Sequence, residues 1–129
     1  MERTIVSHQR PKYLDLLRIR LPVPGFVSIL HRISGFGLFL FLPFLLWLLQ
    51  SSLGSPESYV RYRAAFAHPV IKLILMGLLW AFLHHLFAGL RFLTLDLHIG
   101  TDLAPARKTS WAVLAVSLAL TVILGVWLW

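Results

Sequence analysis

With 129 residues, of which 58% are hydrophobic and 13% charged, the chain is too apolar for a soluble domain of its size. Its Lys and Arg outnumber Asp and Glu by 12 to 5. Those bases gather at the margins of apolar runs, where orientation signals and lipid headgroups account for them, so nucleic acid is not the expected partner. The absence of cysteine excludes disulfides and thiolate metal sites and leaves histidine as the nitrogen ligand.

Residues 1–24 carry Arg3, Arg10, Lys12, Arg18 and Arg20 without an apolar core. They read as a cytoplasmic N-terminal segment rather than a cleavable signal. A first apolar helix is expected over residues 26–49, opened by Pro22, Pro24 and Gly25 and kinked or loosened at Pro43. No charge interrupts Ile33 to Pro56. Gln50 to Ala67 reads as a connection that begins with Ser51-Ser52-Leu53-Gly54-Ser55-Pro56. A second helix is expected over 69–96, with Pro69 as its first residue and no charge from Leu73 to Leu90. After a connection holding Gly100, Asp102 and Pro105, a third helix is expected over 109–129, anchored by Trp111, Trp127 and Trp129. Each run is long enough to cross a hydrocarbon layer of ~30 Å. The expected fold is therefore a single all-α domain over residues 1–129, an integral membrane protein with three transmembrane helices.

Nine bases (Arg3, Arg10, Lys12, Arg18, Arg20, Arg32, Arg91, Arg107 and Lys108) fall on one side of this layout, and Arg61, Arg63 and Lys72 on the other. The positive-inside rule then places the N-terminus in the cytoplasm and the C-terminus outside.

The few polar groups within these spans are the site candidates. Ser28, His31 and Arg32 stand where the first helix leaves the cytoplasmic surface, and Arg91 and Asp96 where the second returns to it. His85 precedes Arg91 by one and two-thirds turns and lies roughly 9 Å deeper. A buried imidazole below a basic rim suits a b-type haem, the ring nitrogen on iron and the cations near the propionates. Ala88 and Gly89, three and four residues on, share the face of His85 and would let a flat macrocycle approach the backbone. His84 points about 100° away and cannot share that duty. Each feature also has a plain structural reading. A membrane histidine can simply bond a neighbouring helix, Gly89 can be a packing contact, Arg32 a snorkelling anchor, and Ser28 a back-bonded hydroxyl. His68 and His98 read as interfacial residues.

Arg10-Pro11, Leu14-Asp15-Leu16 and Ser28-Ile29-Leu30-His31-Arg32-Ile33-Ser34-Gly35 resemble the opening of the cytochrome b membrane-anchor subunit of bacterial succinate dehydrogenase. His85, Gly89-Leu90-Arg91 and Asp96 resemble that family's haem-ligand signature on its second helix. The likeness covers nearly the whole chain. Leu95 departs from it, standing where the family tends to an aromatic or methionine, as does His98, where a small residue is usual.

The resemblance implies that His85 is an axial ligand of haem b, with the second axial histidine on another small membrane subunit. It implies that His31 and Arg32 lie near the haem propionates, and that Arg32 and Ser28 border a ubiquinone pocket. Arg91 and Asp96 are implied as structural or propionate-side support. The expected partners are the second anchor subunit, an iron–sulfur subunit and a flavoprotein subunit, in a bacterial inner membrane. On this reading the chain takes no part in succinate oxidation itself, lacking a dinucleotide fingerprint and cysteines. The competing expectations are an anchor of a fumarate reductase and a haem-free structural anchor.

Overall fold

A computed structural model describes residues 20–129. Residues 1–19 of the expected cytoplasmic segment, with Arg10-Pro11 and Leu14-Asp15-Leu16, lie outside the described residues. Four helices follow in order: α1 (Val23–Gly54), α2 (Pro56–Phe66), α3 (Pro69–Asp96) and α4 (Leu103–Leu128). No strand occurs among the described residues. Three of the helices, α1, α3 and α4, are long and apolar enough to span a membrane. The all-α, three-span architecture expected from the apolar runs is thus present.

α1 starts on prolines. Pro22 caps it in an extended conformation and Pro24 sits in its first turn, where a missing N–H costs nothing. The first bonds close from Gly25 and Phe26 to the Pro22 carbonyl at 2.9 and 3.1 Å. The helix passes through Pro43 without ending. Its 32 residues give it a length of about 48 Å, well beyond the hydrocarbon thickness.

The segment expected as a plain connection contains α2. Ser55 turns extended at the end of α1 and begins α2 with a reciprocal capping box. The Ser58 amide donates to Ser55 Oγ at 3.1 Å, and the Ser55 amide donates to Ser58 Oγ at 2.8 Å. Pro56 fills the first helical position. Tyr59, Tyr62 and Phe66 stack along one side of this short helix. With the ends of α1 and α3 it encloses a cleft of about 380 Å³ lined by Phe44, Trp47, Tyr62 and Phe66.

α3 is capped at its start by His68, whose Nδ1 accepts from the Val70 amide at 3.3 Å. It ends in a Schellman turn. The His98 amide donates to the Leu95 carbonyl at 2.9 Å and the Ile99 amide to the Thr94 carbonyl at 3.1 Å. His98 takes φ +60° at the left-handed position of this turn. α4 begins at Leu103, so Arg107 and Lys108 ride exposed on its first turns.

α1, α3 and α4 pack pairwise into a bundle in which α3 runs against the other two. Its interior is narrow. Val27 of α1, Ala88 of α3 and Val113 of α4 meet at the centre. α4 contributes a buried seam of Ala106, Ser110, Val113, Ser117, Thr121 and Gly125. Small residues on such a seam bring helices close where the hydrophobic effect cannot drive them together. The seam hydroxyls satisfy themselves within α4: Ser110 donates to the Ala106 carbonyl and Thr121 to the Ser117 carbonyl, both at 2.7 Å. Large apolar side chains such as Phe36, Phe39, Trp47, Leu73 and Trp127 point outward instead.

Candidate functional site

The start of α1, the end of α3 and the start of α4 come together at one end of the bundle. There α1 carries Ser28, His31, Arg32, Ser34 and Gly35 in two helical turns, and α3 carries His84, His85, Gly89, Arg91 and Phe92. Side chains three and four residues apart share a helix face. α3 therefore presents one stripe through His85, Gly89 and Phe92 and a second through His84, Ala88 and Arg91.

The first stripe faces α1. The rings of His85 and His31 stack with centroids 4.1 Å apart and planes within 5° of parallel. Phe92 meets the His31 ring edge-on at 5.1 Å. His85 Nδ1 lies 3.0 Å from the His31 main-chain carbonyl oxygen. A carbonyl only accepts, so Nδ1 carries the proton and donates it. A neutral imidazole has a single N–H, which leaves Nε2 with a free lone pair. Ser34 Oγ donates to the same carbonyl at 2.9 Å and lies 3.4 Å from Nδ1. The His85 ring is half-buried at the flank of the bundle.

This is the state in which a histidine ligates iron. Metal-bound imidazoles almost always donate their second ring nitrogen to a carbonyl or carboxylate, which sets the tautomer and ring orientation. The donor set therefore fits a haem iron through His85 Nε2. It does not suit a bare metal ion, because the described residues contain no group of three or more His, Cys, Asp or Glu that could hold one.

The second stripe faces inward. His84 is fully buried; neither ring nitrogen makes a hydrogen bond of good geometry, although the Val27 main chain lies within reach of the ring. Its ring stacks on Trp80 with centroids 5.3 Å apart. Ala88, expected to flank His85, belongs here: it is four residues from His84 and packs against Val27 and Val113. Gly89 does lie on the His85 side, where a Cβ would come 3.5 Å from His31 Nε2. Arg91 is 6% exposed and reaches α4. Its Nε donates to Thr109 Oγ1 at 3.0 Å, and its terminal amino group to the Ala106 carbonyl at 3.3 Å.

The remaining candidates lie at the rim. Ser28 is half-buried and Arg32 exposed, one helical turn apart on α1, and Asp96 is exposed at the end of α3. Ser34 and Gly35 follow His31 by three and four residues, a helical spacing that puts them on its face.

The fold and this polar end define an all-helical, multi-pass membrane protein in which one imidazole is held by a main-chain carbonyl. Residues 6–124 match the model of the succinate dehydrogenase/fumarate reductase transmembrane subunit family. The chain is 39% identical over 125 residues to the succinate dehydrogenase cytochrome b556 subunit of Coxiella burnetii, covering 96% of this chain and 100% of that one. It is 34% identical to the cytochrome b556 subunit of Paracoccus denitrificans, with 88% of each chain covered. It is 31% identical to that of Rickettsia felis, with 94% of each covered. The chain belongs to this family, as a cytochrome b anchor subunit of succinate dehydrogenase.

Proposed function

We propose that this anchor binds haem b through His85, shares it with a second small membrane subunit, and forms part of a ubiquinone-reduction site. The hydrogen bond from His85 Nδ1 to the His31 carbonyl carries this reading, because it leaves Nε2 basic and oriented. A histidine of the partner subunit would complete the site, and the haem would then lie between the two anchors. When bound, the haem supplies a one-electron redox centre beside the quinone.

The chain's own residues do the rest. Arg32 and Ser28, one turn apart on α1, face the quinone oxygens, where negative charge develops on reduction. A guanidinium and a hydroxyl held there stabilise that charge. Arg32 with His31 also lies toward the propionates, and Arg91 supports this end from inside the bundle through its bonds to α4. Succinate oxidation belongs to the flavoprotein and iron–sulfur subunits, which dock at the end bearing Arg32, Arg107 and Lys108. That end is cytoplasmic by the positive-inside rule, in a bacterial inner membrane.

The test is a reduced-minus-oxidised absorption spectrum of the purified membrane complex, wild type against His85→Ala. A low-spin b-type signal that disappears in the variant supports the ligand. An unchanged signal moves the ligand elsewhere, and no signal in either leaves a haem-free anchor.

A further inference from the structure

Haem ligation by His85 accounts for the imidazole but not for how closely that ring lies against α1. The contact is made where α1 has no side chain. A Cβ built on Gly35 would stand 2.7 Å from His85 Cε1, 3.1 Å from Nδ1 and 3.6 Å from Nε2. The first distance is shorter than real Cβ contacts allow. The atom it meets is not the loose end of a flexible chain but a ring pinned by the His31 carbonyl on one edge and by the His31 ring on one face. Any side chain at position 35 therefore displaces the imidazole, and a displaced imidazole loses the 3.0 Å bond that sets its tautomer.

We propose that Gly35 is a positioning residue for His85: its bare backbone lets the imidazole approach α1 until the His31 carbonyl takes the Nδ1 hydrogen bond, leaving Nε2 for the iron. The inference rests on the reading of His85 as the ligand. Gly35 itself touches neither haem nor quinone in this scheme, and acts through the ring.

The same helix provides the control. Gly37 lies two residues on, and a Cβ there meets nothing within 4 Å. Gly35→Ala and Gly37→Ala thus make the same chemical change and the same small gain in helix propensity, with opposite consequences for His85. In the purified complex, Gly35→Ala should lower haem affinity by about tenfold or more, the usual cost of losing an outer-shell partner. The haem that remains should show a shifted midpoint potential and an altered low-spin electron paramagnetic resonance signal. Gly37→Ala should match the wild type in haem content, potential and resonance.

If Gly35→Ala also matches the wild type while His85→Ala loses the haem signal, the positioning role fails and the ligand stands. If His85→Ala keeps the wild-type signal, the ligand reading fails and this inference falls with it. If Gly35→Ala yields no assembled complex, the double variant with His85→Ala decides the cause. Assembly restored by removing the ring shows that the clash is with His85; assembly still absent, where His85→Ala alone assembles, shows that Gly35 serves helix packing alone and overturns the proposal.

Discussion

His84 and His85 are neighbours in the chain, yet the two stripes of α3 they belong to are put to opposite uses. The His84 stripe, with Ala88 and Arg91, is sealed between α1 and α4. The His85 stripe, with Gly89 and Phe92, lies against α1 at the flank, half-buried and tied by one ring nitrogen. Burial alone would have chosen His84 as the special residue, since it is the more deeply enclosed. What distinguishes His85 is the His31 carbonyl that holds one ring nitrogen and its half-buried position at the flank of the bundle. His84, enclosed and stacked on Trp80, is a packing residue.

The strongest test of this contrast after the His85 spectrum is on α1, at the rim beside the His85 stripe. Arg32→Leu should reduce quinone turnover about a hundredfold, the scale expected for removing one donor from a developing anion. Assembly and the haem spectrum should be nearly unaffected. Loss of the whole complex with no selective activity defect would assign Arg32 to anchoring instead.

Arg91→Met probes the sealed stripe. It removes two hydrogen bonds from a charged donor to α4, each worth about 1.5–3 kcal/mol when the donor is ionised, while the methionine refills part of the space. A net loss of about 3 kcal/mol, the low end of this scale for two bonds, is expected as a lower unfolding midpoint of the detergent-solubilised complex. The haem still bound should keep its wild-type potential. A shifted potential with unchanged stability would place Arg91 on the propionate side of the site.

His84→Phe should go the other way. The substitution keeps an aromatic ring on Trp80 and removes two buried nitrogens that make no hydrogen bond of good geometry, one of them at the cost of a loose contact to the Val27 main chain. Relieving such groups returns about 1–3 kcal/mol, less whatever the larger ring costs in a close-packed seam. The expected result is a complex at least as stable as the wild type, with an identical haem spectrum. If the haem signal vanished in His84→Phe and survived in His85→Ala, the assignment of the two stripes would have to be exchanged.

Much of this was legible from the residues. Three uncharged runs of spanning length dictate three helices, and His85 stands out because a polar group inside such a run is expensive. α2 was missed because Ser51 to Pro56 has loop composition, although Ser55-Pro56 followed by Ser58 is also a helix start. Ala88 shares a face with both His84 and His85, being four and three residues away. Only the position of the bundle axis shows that it sides with His84. The decisive bond could not be read at all, since its acceptor is a main-chain carbonyl, which every residue possesses. Choosing the one at His31 requires knowing where α1 crosses α3.

His98 marks a third use of the same side chain, at the end of α3, and sets the smallest expected effect. Resemblance to the family led to a small residue at this position, and the backbone explains why. The Schellman turn that closes α3 needs a left-handed residue immediately after its C-cap, and His98 adopts φ +60° there. A residue with a Cβ is strained in that region by about 1–2 kcal/mol, a cost that glycine avoids. Part of the gain from glycine is returned as greater freedom of the unfolded chain. His98→Gly should therefore raise stability by about 1 kcal/mol or less while leaving haem and quinone properties unchanged. The measurement is the unfolding midpoint of the complex, with His98→Ala as the reference that keeps the Cβ. Equal midpoints for the two variants would show that the left-handed backbone at this turn carries no strain.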